Sequence, residues 1–112
     1  MTKLYRFIYE RHPHYAYLDK IHKAEMLAEE KDDKYIISET ETVEKNQVGW
    51  LINGYMMYLQ EDNEELFLEA LINKLRENIL FHQKHLTTLT ERQIILKEKL
   101  HQLKEIQHVN PQ

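Results

Sequence analysis

Hydrophobic positions change their period near residue 62, and that change divides the chain. At the start, Tyr5, Phe7 and Tyr9 alternate with Leu4, Arg6 and Ile8, the two-residue period of a strand. Arg11-His12-Pro13-His14 interrupts it, because proline offers no N–H to a ladder and restrains the residue before it. Tyr15-Ala16-Tyr17-Leu18 reads as its resumption. Residues 21–30 are ambiguous. Lys23-Ala24-Glu25-Met26-Leu27-Ala28-Glu29 are good helix formers. The turn signal Lys31-Asp32-Asp33-Lys34 and the strand-like Tyr35-Ile36-Ile37-Ser38 after it suit strand–turn–strand equally well. Thr40, Thr42 and Val43 continue the extended stretch, and Lys45-Asn46-Gln47 marks a turn. Val48 to Asn53 reads as the next strand, with Gly54 as a bulge or bend. Tyr55-Met56-Met57-Tyr58-Leu59 reads as extended and mostly buried.

Beyond that point the period becomes helical. Asp62-Asn63-Glu64-Glu65 opens a helix, with Asp62 and Glu65 spaced as a capping box and the acids complementing the N-terminal dipole. No Gly or Pro follows until after Gln107. Leu68, Ile72, Leu75, Ile79, His82, Leu86, Leu89, Gln93, Leu96, Leu100, Leu103 and Gln107 are spaced alternately four and three. That is an a/d heptad register. An isolated helix cannot hide such a stripe, so it must pack on the sheet, fold back as a hairpin or meet another copy. Thr87-Thr88-Leu89-Thr90-Glu91 is the natural breaking point, since Thr88 and Glu91 repeat the capping-box spacing and threonines are poor helix formers. One helix and two therefore stand on equal terms. A second apolar stripe, Leu71, Leu80, Phe81, Ile94, Ile95 and Ile106, widens the apolar face beyond a two-stranded seam. The expected fold class is α+β: an antiparallel sheet of about four strands followed by a long C-terminal helix or helical hairpin.

Composition agrees with that division. All seven Tyr and the only Trp precede residue 62, as do both Gly. Aromatic residues favour strands, whereas Leu, Glu, Lys and Gln favour helix. A chain of 112 residues is expected to be a single domain, with residues 1–61 mainly β and residues 62–108 mainly α. At 42% hydrophobic and 30% charged it is too apolar for a disordered protein and too polar for a membrane protein. Arg6 and Glu10 break any signal-peptide core, and nothing approaches the roughly 18 apolar residues of a membrane span. A cytoplasmic protein is expected, whatever its host cell. The chain has no Cys, which removes disulfides, thiol chemistry and Cys-based zinc sites. A net charge of −4 disfavours nucleic-acid binding, although the strand tyrosines have the right faces for base stacking.

Catalytic chemistry is hard to find. Ser38 is the only serine and lacks elbow glycines, and the acids are too numerous and unpatterned to nominate a general acid–base pair. No enzyme is expected and no catalytic residue is nominated. His12-x-His14 and His82-x-x-His85 have metal-like spacing, but neither has an evident third ligand. No metal or cofactor is expected. His82 is read instead as a polar seam residue of the kind that fixes register. Arg76, His85, Arg92, Lys97, Lys99 and Lys104 fall at e or g positions and Glu77, Glu91, Glu98 and Glu105 at f positions. The ordinary reading is solvated cations paired with glutamates of the same helix. The alternative is that Arg76 and Arg92 line an inter-subunit groove for an anion or face an acidic partner.

Several stretches resemble a known group. These are the opening Lys3-Leu4-Tyr5-Arg6-Phe7-Ile8-Tyr9-Glu10-Arg11-His12-Pro13, the turn Glu29-Glu30-Lys31-Asp32-Asp33-Lys34-Tyr35-Ile36-Ile37, Val48-Gly49-Trp50, and Asp62-Asn63-Glu64-Glu65-Leu66-Phe67-Leu68-Glu69-Ala70 running into a Leu-, Lys- and Gln-rich helix. Together they resemble small accessory proteins of phages and prophages of Gram-positive bacteria, in which a short antiparallel sheet precedes one or two helices. The resemblance implies a strand at residues 23–30. Such proteins are often stoichiometric antagonists of host defence. One similar group comprises sponges that sequester the cyclic ADP-ribose signal of the Thoeris system, oligomers with pockets between subunits. No residue is carried over from that group. If the chain binds such a nucleotide, phosphates need cations and the base an aromatic, which nominates Arg76, Phe81 and Arg92, with Asn73 or Asn78 reading base or ribose edges. The heptad seam leads to the expectation of a homo-oligomer joined by its C-terminal helices through Ile72, Leu75, Ile79, His82, Leu86, Leu89, Leu96, Leu100 and Leu103, and the resemblance implies a small nucleotide as ligand. The alternatives are an inhibitor that binds a host enzyme or defence protein, and a structural phage protein without ligand.

Overall fold

Strand β1 (Thr2–Glu10) pairs antiparallel with β2 (Lys20–Lys31), from Thr2 opposite Ala28 to Glu10 opposite Lys20. The structure is a computed structural model and describes residues 1–109, with side-chain exposure described through Ile106. Residues 21–30 are therefore strand, against the local helix propensity. β2 pairs with β1 over Lys20–Ala28 and with β3 over Glu29–Lys31, and Ala24, Met26 and Ala28 turn inward at a two-residue period. Pairing and alternation outweigh propensity here.

The expected strand at Tyr15–Leu18 is absent. Ala16–Leu18 is a single 3-10 turn. The His12 ring accepts the backbone N–H of His14 and Tyr15 at 3.2 and 3.1 Å, while the Asp19 carboxylate accepts the His12 N–H at 2.6 Å and the Tyr9 hydroxyl. These local bonds fold the connection onto itself.

β3 (Lys34–Ile36) follows a tight turn in which Asp32 takes a left-handed φ of 55°. β4 (Thr42–Glu44) and β5 (Met56–Leu59) complete a five-stranded antiparallel sheet ordered β4-β3-β2-β1-β5, one strand more than expected. The extra strand arises because Ser38 turns the chain between β3 and β4, its hydroxyl accepting the Glu41 N–H at 3.1 Å, so that the stretch from Tyr35 to Val43 is two strands. Val48–Asn53, by contrast, is not a strand. Gly49 at φ 89° bends the chain and donates its N–H to the Tyr58 carbonyl at 2.8 Å. Only Ile52 bridges to Met56, across Asn53, Gly54 and Tyr55, of which Asn53 and Gly54 take left-handed φ values of 55° and 81°.

The sheet is apolar on both faces. Leu4, Ala28, Tyr35, Val43 and Tyr58 form one cluster, covered by Val48 and Ile52 from the loops. Phe7, Met57 and Leu59 form the other and receive Phe67 and Leu71 from helix α1 (Glu64–Val109). Alternation along β1 and β5 sends neighbouring residues to opposite faces. The cap of α1 is Asn63, whose side-chain oxygen accepts the Leu66 N–H at 3.2 Å. The expected cap, Asp62, is held by Lys23 at 2.8 Å instead.

α1 runs unbroken through the threonine cluster, so the hairpin alternative fails. The hydroxyls of Thr87, Thr88 and Thr90 donate to the carbonyls of Gln83, Lys84 and Leu86. They thus bond the preceding turn of their own helix rather than capping a new one. By its contacts the chain divides into two units, Met1–Lys74 and Leu75–Gln112. The first holds the sheet and the opening turns of α1, and the second holds the helix from Leu75 to Val109.

Candidate functional site

The a/d face of α1 lies open. Within the sheet-bearing unit Phe67 is fully buried and Leu71 is 7% exposed, while Leu68 and Ile72 on the a/d face are 37% and 52% exposed. The sheet therefore takes the face of Phe67 and Leu71 and leaves the seam to solvent. Farther along, Leu75, Ile79, Leu86, Leu89, Leu96, Leu100 and Leu103 are all exposed, reaching 65% at Leu96. His82 on the same face is exposed as well. Each half-exposed Leu or Ile still has about 1 kcal/mol to gain from burial. A contiguous apolar stripe of this length is unusual for a surface that stays in water. The second stripe divides in two: Leu71 joins the sheet core, whereas Leu80, Phe81, Ile94, Ile95 and Ile106 are exposed.

The flanking cations are not engaged along the helix. Arg76, Arg92, Lys97, Lys99 and Lys104 form no ion pair among the described residues, contrary to the expected pairing with glutamates of the same helix. His101 and Glu105 do pair, at 3.1 Å.

The nucleotide-binding candidates do not converge on one chain. Arg76 and Arg92 are separated by about 24 Å along the axis at the helical rise of 1.5 Å per residue. At 100° per residue, Asn73 and Arg76 stand on one side of the seam and Asn78, Phe81 and Arg92 on the other. The depressions of the surface lie elsewhere. One is lined by Lys31, Asp32, Asp33, Lys34, Ile36, Thr42 and Glu44, another by Val48, Leu59, Gln60, Glu61, Asn63 and Leu66.

The histidine motifs resolve differently. His12 organises its own loop through its ring nitrogen. His82 packs edge-on against the Phe81 ring at 5.6 Å between centroids. No group of three His, Asp or Glu side chains is placed to hold a metal ion among the described residues.

A polar cluster escaped the sequence pattern. Arg6 on β1 and Tyr58 on β5 are cross-strand neighbours, and both bind the carboxylate of Glu41 from the β3–β4 connection, Arg6 at 2.6 Å. Burial and the hydrogen bond to Glu41 raise the Tyr58 phenol to about 12. Burial by itself pushes Glu41 up. The hydrogen bonds from Tyr58 and Arg6 outweigh it and bring the carboxyl below its ordinary value. Both donors bind the same carboxylate oxygen, Oε2, and so tie a loop to the sheet, while Arg6 Nε is buried without a hydrogen-bond partner. Its only sequence signal is a cation at an inward position of β1, which demands a buried partner.

No family model, curated protein or solved structure matches this chain. No helix among the described residues is long and apolar enough to cross a membrane.

Proposed function

We propose that this chain is a self-assembling, non-catalytic binding protein whose long helix joins it to further copies. The observation that carries the reading is the exposed row of Leu and Ile from Ile72 to Leu103 at strict heptad spacing. Heptad spacing is what a facing helix requires, and a catalytic site has no use for it. Within the sheet-bearing unit, Phe67 and Leu71 are buried while Leu68 and Ile72 on the heptad face are exposed.

The more specific form of the proposal is a phage-type accessory protein that acts stoichiometrically, sequestering a cyclic ADP-ribose-type signalling nucleotide beside the paired helices. Its support is chemical. Arg76 and Arg92 are cations without ion-pair partners among the described residues, and Phe81 is an exposed aromatic at 69%. Phosphate and base recognition ask for these groups, and assembly is the means of bringing them together from separate chains.

Native mass spectrometry of freshly purified protein tests both levels. An oligomer carrying a few hundred daltons of extra mass per site supports sequestration and reports the ligand class. A bare oligomer keeps self-assembly but overturns nucleotide binding in favour of a protein target. A monomer overturns the whole reading.

A further inference from the structure

Resting on the self-assembly reading, we infer that α1 pairs with α1 of a second copy in antiparallel sense, in the register that sets His82 opposite the partner's Gln93. Two polar residues, His82 and Gln93, interrupt an otherwise Leu/Ile seam between Leu68 and Leu103. If opposed helices align so that facing residue numbers add to 175, Ile72 faces the partner's Leu103, Leu75 the partner's Leu100, Ile79 the partner's Leu96, and Leu86 the partner's Leu89. The remaining layer sets His82 against the partner's Gln93, twice by symmetry. Every apolar residue from Ile72 to Leu103 then meets an apolar one, and each polar side chain meets a hydrogen-bonding group.

The neighbouring registers fail this test. A shift by one heptad in one direction sets His82 against the partner's Leu86 and Gln93 against the partner's Leu75. A shift the other way sets them against the partner's Leu100 and the partner's Leu89. An unsatisfied polar group on a buried seam is costly, and a matched polar pair is the device by which coiled helices select register.

Charge then separates antiparallel from parallel. A parallel pair in register also matches His82 and Gln93 with their own copies. It brings g against e positions, however, so Arg92 faces the partner's Lys97 and Lys99 faces the partner's Lys104, four repulsive contacts in a symmetric dimer. The antiparallel pair opposes e with e and g with g. Glu69 then faces the partner's Lys104, an attraction, Arg76 faces the partner's Lys97, a repulsion, Asn78 faces the partner's Lys99, and His85 faces the partner's Arg92. Opposed helix dipoles add to the preference. The sheet does not obstruct the arrangement at its own end of the helix, since Leu68 and Ile72 are exposed beside the buried Phe67 and Leu71.

The register also sorts the candidate ligand residues. Asn78, Phe81 and the partner's Arg92 come to one side of the pair at similar heights, whereas Asn73 and Arg76 lie on the opposite side. A ligand between the helices therefore meets Phe81 and an arginine from different chains.

Spin labels decide the matter, since the chain has no native cysteine. Glu105→Cys places a nitroxide on the outer f position. Dipolar spectroscopy is expected to give about 55 Å between labels, from 35 helical rises of 1.5 Å plus the width of the pair, alongside a dimer mass by light scattering. A dimer with labels about 20 Å apart overturns the antiparallel sense and leaves self-assembly standing. Distances about 10 Å longer or shorter than expected overturn the register. A monomer with no dipolar signal removes the self-assembly reading itself. As a second variant pair, Ile72→Cys chains mixed with Leu103→Cys chains are expected to form the mixed disulfide in preference to either self-disulfide. Equal self-linking of Ile72→Cys overturns the pairing.

Discussion

The rings of Phe7 and Phe67 stack with centroids 5.5 Å apart and planes 28° from parallel. Both are fully buried, and they join a central strand to the first turns of α1. This contact is where the helix is held to the sheet. Phe67→Ala removes a ring with no mobile neighbour to refill its place, so a loss of about 3–5 kcal/mol is expected. Urea denaturation followed through the tyrosine near-ultraviolet signal measures it. A loss below about 1 kcal/mol would show that the ring does not anchor the helix.

The Arg6–Glu41–Tyr58 cluster makes the sheet sensitive at both ends of the pH scale. Burial and its bond to Glu41 raise the Tyr58 phenol to about 12, above the ordinary value near 10. A group with a raised folded-state pKa stabilises fully below its unfolded value, and that contribution disappears as pH climbs through the folded one. Stability is therefore expected to fall between pH 10 and about 12. Alkaline absorbance titration should show a phenolate component near that upper value, which Tyr58→Phe removes. Glu41 is held low by Tyr58 and Arg6 against its own burial. Its contribution is present above the ordinary carboxylate range and is lost as acid protonates it. Glu41→Gln should flatten the acid limb of the stability curve. An acid limb unchanged by that variant would assign the acid sensitivity to other carboxylates.

The split between a sheet and a helical half was legible in the sequence because it depends on period, which local residues set. β1 was readable from alternation at Tyr5, Phe7 and Tyr9. Residues 23–29 were not, because Ala, Glu, Lys and Leu suit a helix until β1 and, at Glu29, β3 claim their backbone. Val48–Asn53 misled for the opposite reason: its strand-forming Trp50 and Ile52 sit between positive-φ turns at Gly49 and Asn53-Gly54, and turn chemistry overrode propensity. The helix cap moved by one residue because Lys23, distant in sequence, claimed Asp62. The seam itself was plain from spacing, but which face the sheet would occupy was not, since Phe67 and Leu71 lie off the heptad core. The Arg6–Glu41–Tyr58 cluster depends on strand register between segments 35 and 52 residues away from Arg6, which no local pattern carries.

Continuity of α1 through Thr87, Thr88 and Thr90 gives a further test. Their hydroxyls are bound to the preceding turn, so these residues lower helix stability without breaking the helix. Replacing all three with Ala should raise the helical melting temperature, with a propensity gain of about 0.5 kcal/mol per site. Circular dichroism at low temperature should barely change. A large rise in ellipticity at low temperature would mean that the native helix is interrupted there after all.

Two faces of α1 compete as the assembly surface, and paired substitutions separate them. Leu96 and Leu100 lie on the a/d seam and are 65% and 52% exposed. Ile94 and Ile95 lie on the outer face and are 60% and 53% exposed. The four residues are close in sequence and similar in exposure, so any general effect of a carboxylate on helix stability is shared. Leu96→Glu with Leu100→Glu places charges where a facing helix must exclude water, at a cost of several kcal/mol per assembly. It should yield monomers by light scattering, with reduced ellipticity because an unpaired amphipathic helix loses its tertiary support. Tyrosine signals from the sheet should remain, since Phe7 and Phe67 are untouched. Ile94→Glu with Ile95→Glu should leave the oligomer intact. Dissociation by the outer pair alone would transfer the interface to the face of Leu80, Phe81, Ile94 and Ile95, and the heptad seam would then need a different occupant.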